Sequence, residues 1–480
     1  MTPLLGFSPD VEPTTPGAIL ECQNVMPFAS GMKAAPSAAD AGLNALAAAC
    51  QGAAVTRNLS GASRLFAGTS SKIYEASGAT WNDVSGGAYT LGVDDVWRFV
   101  VFGNSSLACN PSTYMQRSTG GAFSTIAGAP KAKAVVAAKG FVVAFATNEA
   151  TYGDSPDRWW CCALNDETSW EPSVSTQATT GRLVEGSGGL TAALRMGDNI
   201  VAYKDRCIFV GQYVGGAVVW QWTPPIGDVG CVGVEAVADT PWGHVFVGSE
   251  NIYLFDGTRP DPVGNEIRQW WIDNSSAQYR YKTKLMWDRD NGLVWVFYPS
   301  STSSGACDRC IVLHVQTKRW GVADMTVEAV LNYTSPAFTY DSGTPLITTY
   351  DSGPSIAFDS PFWLASKSNP AMFSSSHKVM SLTGVPGAWY FMTGDVGDES
   401  ASSMCRAVRV RWSKKPLLST CDGYTKSTSG DIYYPASSSS FDGSKFPMRQ
   451  TDRFHRFKVS GSGAMQVSAL DVELIEAGRR

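Results

Sequence analysis

Residues Arg64–Tyr74 read RLFAGTSSKIY, and residues His244–Tyr253 read HVFVGSENIY. Each segment has an apolar run with a phenylalanine, then a glycine, a short polar turn and the pair Ile-Tyr. Each then reaches a second glycine turn, at Ser77-Gly78 and at Asp256-Gly257. Short apolar runs bounded by glycine turns are typical of β-hairpins. Because the unit recurs far along the chain, it predicts an architecture of repeated hairpins.

Weaker copies of this unit lie at residues 97–109, 134–146, 190–210 and 284–298. An aromatic residue often closes a unit: Trp81, Phe123, Trp170, Trp222, Trp270 or Trp271, and Trp320. The spacing of roughly 35 to 60 residues is close to one four-stranded propeller blade per repeat. The sequence therefore predicts an all-β protein with a β-propeller of about six blades between residues 55 and 325. A β-sandwich with decorated loops is the alternative fold.

The two ends of the chain have a different character. Residues 1–50 contain four prolines in the first sixteen positions and predict an extended N-terminal arm. Residues 51–325 hold the blades. Residues 326–480 are rich in Ser, Gly and Asp, but Cys405–Trp412 and Phe454–Val459 alternate apolar and basic residues, as strands with one exposed face do. They predict a C-terminal β region that packs on the propeller or completes it. One terminal strand is expected to close the ring, and the sequence does not indicate which.

Charge and composition exclude some classes of function. The net charge of −5, with 17% charged residues, argues against a nucleic-acid clamp, which needs clustered cations. It does not exclude a channel through which nucleic acid passes. The most apolar run, Ala134–Ala146, is too short to span a bilayer, and Met1–Gly6 lacks the basic region and the long apolar stretch expected of a signal peptide. We therefore expect a protein made in the cytoplasm without a membrane span. The eleven scattered cysteines are expected to be mostly reduced and buried.

Metal and redox motifs are weak in this sequence. The four histidines, His244, His314, His377 and His455, have no metal-ligand spacing. Cys307 and Cys310 form a lone CxxC without the second pair that a zinc ribbon needs, and the vicinal Cys161-Cys162 is more typical of packing. We predict no metal site and no cofactor.

Catalytic motifs are similarly incomplete. Asp288–Gly292 resembles part of a calcium loop, but Gly292 occupies a ligand position, so a hairpin turn explains the segment. Asp94-Asp95 could bind a cation or solvate a loop. Gly78–Trp81 matches the end of a sialidase-type turn, but Tyr74 and Ala76 replace its serine and aspartate. With no phosphate-binding loop either, the sequence predicts no catalytic, cofactor-binding or metal residues, and a protein that is not an enzyme.

One segment resembles a known family. Residues 14–36 contain Asn24-Val25-x-Pro27, a short gap, Gly31-x-Lys33 and then Pro36. This pattern is similar to the opening of the tail hub, or nozzle, proteins of short-tailed bacteriophages, also called packaged-DNA stabilisation proteins. The resemblance continues in the Phe-x-Gly…Ile-Tyr units and in the ending from Arg453–Phe457 through Gly478–Arg480.

The resemblance implies a structural protein of the virion tail, built as a β-propeller with added β segments. It implies a homo-hexameric ring below the portal and the head-to-tail adaptor, with the tail needle, spikes or fibres as further partners. Such a ring extends the DNA channel, retains the packaged genome and passes it during ejection without sequence-specific binding. Six chains of net charge −5 would carry −30, which repels the DNA backbone.

The alternative function is a receptor- or glycan-binding propeller, such as a tail-fibre or lectin-like module. Trp159, Trp160, Trp270 and Trp271 could stack on sugars, although aromatic residues of this kind more often pack in cores and interfaces. A divergent propeller hydrolase is a third and weaker possibility.

Overall fold

The computed structural model of the chain describes residues 2–59, 61, 63–334 and 368–479. Six short strands lie in the N-terminal arm: β1 (Thr2–Pro3), β2 (Gly6–Phe7), β3 (Ala18–Gln23), β4 (Val25–Phe28), β5 (Gly31–Ala34) and β6 (Ser37–Asp40). The arm is therefore extended, as predicted, but its strands pair with distant parts of the chain, as described below. Among the described residues, no helix is long and apolar enough to cross a membrane.

Six four-stranded antiparallel units follow between residues 53 and 323. The first three are β7 (Ala53–Arg57), β8 (Ser63–Gly68), β9 (Ile73–Ser77) and β10 (Thr80–Asp83); β11 (Arg98–Phe102), β12 (Ser105–Cys109), β13 (Gln116–Ser118) and β14 (Ser124–Thr125); and β15 (Lys131–Ala138), β16 (Phe141–Glu149), β17 (Gly153–Cys161) and β18 (Thr179–Arg182).

The next three are β19 (Leu190–Met196), β20 (Asn199–Lys204), β21 (Ile208–Gly215) and β22 (Val219–Trp222); β23 (Val237–Thr240), β24 (Gly243–Val247), β25 (Ile252–Phe255) and β26 (Pro260–Pro262); and β27 (Lys284–Asp288), β28 (Leu293–Tyr298), β29 (Arg309–His314) and β30 (Arg319–Ala323). A 3-10 turn (Asn265–Ile267), helix α1 (Arg268–Asn274) and a second 3-10 turn (Arg280–Lys282) separate the last two units.

A further four-stranded sheet closes the ring. It consists of β31 (Ala329–Thr334), β32 (Ser368–Phe373), β33 (Val379–Gly384) and, as its outer strand, β6 of the arm. The first strands of successive units lie side by side, in the order β7, β11, β15, β19, β23, β27, β31 and back to β7. The predicted β-propeller is therefore confirmed, with its six units between residues 53 and 323. The terminal strand that closes the ring is N-terminal.

Local sequence explains the blade strands. β15 alternates Lys131, Lys133, Val135 and Ala137 on its more exposed side with four fully buried residues on the other, the period of two that a pleated strand imposes. Its connection to β16 is the two-residue turn Lys139-Gly140, in which both residues have positive φ. Such turns match the twist of the flanking strands and need glycine or another residue that tolerates this region.

A second β body contains most of the remaining strands. They are β34 (Ala388–Thr393), β35 (Val396–Gly397), β36 (Ala401–Lys414), β37 (Leu418–Lys426), β38 (Tyr434–Ser440), β39 (Phe446–Asp452), β40 (Phe454–Ser462) and β41 (Gln466–Arg479). One sheet runs β2-β3-β34-β40-β37-β38, with β35 beside β40. The other continues from the sixth blade as β30-β4-β5-β41-β36-β39, with β1 beside β41.

The two sheets of this body share one apolar core. Phe391, Cys421 and Phe457 on the first sheet belong to the same buried cluster as Val408 and Phe446 on the second. The C-terminal region thus contributes a blade up to Gly384 and a two-layered body after it, and the N-terminal arm takes part in both.

The close approach of β5 and β41 makes a specific demand on Gly31. A Cβ atom at this position would lie 2.1 Å from the carbonyl oxygen of Val467. We expect Gly31→Ala to lower the free energy of unfolding by about 1–3 kcal/mol, because the strands must separate to admit a methyl group. Urea unfolding of the full chain measures this. Gly430→Ala is the matched control, since nothing lies within 4 Å of its Cβ position. Equal effects of the two changes would contradict the prediction.

Candidate functional site

A cavity lies at one mouth of the propeller's centre, where the first strands of the blades begin. Its volume is about 670 Å³, and the segments that precede β7, β11, β23, β27 and β31 line it. A second cavity of about 270 Å³ lies along β23, β27 and β31. Glu235 lines both cavities, so the two adjoin. Concave sites at the centre of a fold, with a few convergent polar groups, are the usual position of binding sites.

A buried ion pair lies where the two cavities adjoin. The Lys284 ammonium group donates to the Glu235 carboxylate, and both side chains are about nine-tenths buried. Arg98 approaches the same carboxylate at 3.7 Å. Burial opposes the charge on Lys284, but the neighbouring Glu235 outweighs it and holds the pKa of Lys284 above its ordinary value. The Glu235 carboxylate therefore interacts with cations of two other blades, those that contain β11 and β27.

The other carboxylates at the mouth also have partners. Glu328 accepts hydrogen bonds from the backbone N–H of Cys50, at 3.0 Å, and from His377 Nδ1, at 2.7 Å. Asp94 pairs with Lys282 at 2.7 Å, and the hydrogen bond from Lys282 lowers the pKa of this aspartate. The neighbouring Asp95 accepts from the Gly92 N–H and the Ser112 hydroxyl. The carboxylates of Glu328, Asp94 and Asp95 therefore connect neighbouring loops through hydrogen bonds and an ion pair.

The two thiols of the cavity wall are poor nucleophiles. Burial raises the pKa values of Cys50 and Cys307 to about 12, so both thiols are protonated near neutral pH. All eleven cysteines are free and buried, as the sequence predicted. Within the described residues, no group of three or more His, Cys, Asp or Glu side chains could hold a metal ion.

The structure does not bring the four histidines together. His244 is enclosed by the Tyr203 hydroxyl at 2.9 Å and the Arg195 carbonyl at 3.0 Å, and burial lowers its pKa. His314 contacts Thr317 in the turn before β30. His455 lies in the second β body, and His377 contacts Glu328 at the cavity mouth.

The other motifs from the sequence have structural explanations. Cys310 is buried in β29, and Cys161 and Cys162 are buried at the end of β17. Asp288 accepts a 2.8 Å hydrogen bond from the Asn291 side chain and so fixes the predicted hairpin turn.

The four tryptophans proposed as sugar platforms are packing residues. Trp159, Trp160 and Trp271 are buried. Trp270 is partly buried and packs edge-on against Phe7, with 5.0 Å between the ring centroids. This confirms the interpretation of these residues as core rather than binding surface.

Sequence reasoning missed Glu235 and Lys284. They lie 49 positions apart, and each is an isolated charge next to an apolar strand. The signal that was available is that Lys284 begins a strand and is followed by three apolar residues, but Lys131 and Arg98 also begin strands.

We expect Glu235→Ala to lower the free energy of unfolding by about 3–5 kcal/mol, because the buried Lys284 ammonium group would lose its carboxylate partner. Asp198→Ala is the control, since its pair with Lys139 is largely exposed and should contribute less than about 1 kcal/mol. Urea unfolding of both variants checks this. Similar losses would mean that the buried pair contributes no more than a surface pair.

His455 provides a test of pH dependence. Its Nδ1 accepts from Gln450, its Nε2 donates to the Ser403 carbonyl, and burial lowers its pKa. The unfolded chain takes up this proton near pH 6.5 while the folded chain resists it, so stability should fall as pH decreases below about 6.5. In His455→Gln, the fall should be smaller, by up to about 1.4 kcal/mol per pH unit. Urea midpoints across this pH range measure both slopes, and identical slopes would refute the assignment.

No protein-family model and no curated protein matches the chain. Among solved structures, it is similar to PorZ, a surface component of the type-IX secretion system of Porphyromonas gingivalis, with 10% identity and a TM-score of 0.39. That match covers 78% of this chain and 44% of PorZ, so the chain spans less than half of that structure. It is also similar to an exo-β-1,3-galactanase from Phanerochaete chrysosporium, with 8% identity, a TM-score of 0.30, and coverage of 91% and 100%.

Both similarities are distant, and neither indicates what this chain binds or acts on. The second nevertheless corrects one prediction. The sequence predicted a protein that is not an enzyme, from the lack of complete motifs, whereas a glycosidase is among the structures to which the chain is similar. Function depends on a site and not on the fold alone, so incomplete linear motifs are no ground for excluding catalysis.

Proposed function

We propose that this chain is a structural protein of a bacteriophage tail, a nozzle that extends the DNA channel below the portal and adaptor. In this role it forms a homo-hexameric ring, retains the packaged genome and passes it during ejection. The observation that carries the proposal is that the N-terminal residues of the family resemblance lie at a joint between the propeller and the second β body, and that part of its C-terminal segment lies in β40 of that body.

Asn24, the first residue of the resembling pattern, is at the centre of this joint. Its backbone has a φ of 54°, a conformation that asparagine tolerates better than most residues. Its side-chain amide donates to the Ala388 carbonyl at 3.0 Å, and its side-chain oxygen accepts from the Asp324 N–H at 2.9 Å. One side chain therefore links the end of the sixth blade to β34.

Gly31 and Lys33 of the same pattern lie on the neighbouring strand. Lys33 pairs in register with Gln466 of β41, and its ammonium group donates to Asn291 of the sixth blade at 2.7 Å. Burial lowers the pKa of this lysine. The glycine and the lysine therefore serve the contact between β5, β41 and the propeller.

The C-terminal part of the resemblance begins in β40, which lies inside the first sheet of the second body, and ends in β41 of the second sheet. Arg456 donates to Asp395 at 2.6 Å, and Lys426 reaches the same carboxylate at 3.0 Å. Burial alone would raise the pKa of Asp395, but the hydrogen bonds from these cations outweigh it and lower the pKa. Arg456, a basic residue of the ending, thus stabilises the body internally together with Lys426 of β37.

A rigid joint of this kind suits a ring that must keep its shape while a stiff polymer passes through it. The net charge of −5 suits the same role, because an acidic wall repels the phosphate backbone and lets it slide. Exposed sheet edges in the second body offer surfaces for neighbouring subunits or for the adaptor.

The test is quantitative mass spectrometry of purified virions, with this chain counted against the major capsid protein. We expect about six copies per particle, recovered with the tail after the capsid is disrupted. A non-structural protein of the same phage serves as the control for contamination.

Absence from the particle would refute the nozzle. Glycan binding would then be the preferred function. The 670 Å³ cavity has a partly exposed tyrosine, Tyr281, beside Lys282 and Asp94, and an aromatic ring with neighbouring polar groups can bind a sugar. Reproducible binding of one glycan class on an array would support that function.

A further inference from the structure

One end of the second β body exposes aliphatic side chains that the fold does not use. Leu417 is 97% exposed, Leu418 76% and Val385 62%. We call these three residues the apolar tip. Exposed aliphatic groups at adjacent turns are costly in water and mark surfaces that contact another phase or partner.

Strand register places the three residues at the same end of one sheet. Leu418 of β37 and Ala388 of β34 both pair with Ser462 of β40, from opposite sides. The turn before β34 is joined to the turn after β40 by a 3.0 Å hydrogen bond from the Gly463 N–H to the Gly387 carbonyl. Val385 precedes β34 in that turn, and Leu417 precedes β37.

Basic residues accompany the tip. The stretch 401–421 contains Arg406, Arg409, Arg411, Lys414 and Lys415 and no acidic residue, and of these Arg409 is paired with Glu473 of β41 at 3.0 Å. Lys414 and Lys415 are exposed, and neither has a carboxylate partner within the described residues. Asp442, in a neighbouring turn, is held by the backbone N–H groups of Ser444 and Lys445. The end of the body is therefore locally basic in a chain whose net charge is −5.

Aromatic rings lie directly behind the tip. Trp412 packs edge-on against Trp389, at 6.2 Å between centroids, and against Phe441, at 6.3 Å. The Lys415 ammonium group lies 4.6 Å from the centre of the Phe441 ring. Indole rings and lysine stems are the groups that prefer the headgroup region of a bilayer, between an apolar depth and water.

We propose that the apolar tip inserts into the surface of an anionic phospholipid bilayer. Leu417, Leu418 and Val385 would enter the acyl boundary, Lys414 and Lys415 would contact headgroup phosphates, and the partly exposed Trp412 would lie at the level of the headgroups, supported from behind by the buried Trp389. A bilayer fits better than a protein partner, because the aliphatic groups are on turns at a strand end and not spread across a sheet face, and because the lysines are unpaired. This inference goes beyond the proposed nozzle and does not depend on it.

The experiment is flotation of the full chain with vesicles of phosphatidylcholine mixed with phosphatidylglycerol. We expect the wild-type chain to float with these vesicles, and to float less with pure phosphatidylcholine or at high salt. Leu417→Asp with Leu418→Asp should weaken binding by at least about tenfold, because two inserting side chains are lost. Lys414→Glu with Lys415→Glu should weaken it and remove the salt dependence.

The matched control is Val174→Asp with Val184→Asp, which changes two aliphatic residues that are 73% and 65% exposed on the propeller. It should bind vesicles as the wild type does. Circular dichroism and thermal unfolding establish that each variant is folded, which is expected since all the changed side chains are at the surface. The proposal is overturned if the wild type does not float, if the tip variant binds unchanged, or if the control loses binding equally. Concentration-dependent self-association that the tip variant abolishes, without vesicle binding, would instead identify a contact between copies.

Discussion

Pairing between β6 and β33 is the constraint on which the rest of the structure depends. Met380 pairs with Asp40 and Ser381 with Ala39, and Lys378 adds an ion pair to Asp40 across 338 positions of sequence. This pairing closes the ring of first strands. Because only two residues separate β5 from β6, the same segment also brings β5 to β41. Ring closure and attachment of the second body are therefore coupled through a short stretch of backbone.

The propeller could be predicted from the sequence because its hairpins are local. Turns such as Lys139-Gly140 require residues that accept positive φ, and the apolar runs beside them have the length of single strands. The blade that includes β31–β33 was not recognised, since its outer strand comes from the arm and the unit is discontinuous in sequence. The strands of the arm are two to six residues long, and most of their partners are distant. No local pattern indicates such pairing.

The central cavity was less predictable than the fold. Glu235 and Lys284 are brought together only by the positions of neighbouring blades, and neither belongs to a spaced motif. The residues of the family resemblance form a recognisable pattern in the sequence, but the sequence did not indicate the structural role of each residue. Asn24, Gly31 and Lys33 each satisfy a different requirement of the joint: a left-handed backbone, a close approach of strands and a half-buried cation that bonds to Asn291. A short residue pattern in an extended arm can therefore reflect the needs of packing as well as those of binding.

The propeller and the second β body each contain strands from both ends of the chain, and this has a consequence for biosynthesis. The arm leaves the ribosome long before its partners β33, β34 and β41. At about 5–20 residues per second, the arm waits on the order of a minute for them. During that time the first blades can form from local hairpins while β3–β6 present unpaired edges, which are templates for wrong partners. Pro27 in β4 and the short lengths of β3–β6 make these strands poor templates, which protects the nascent chain.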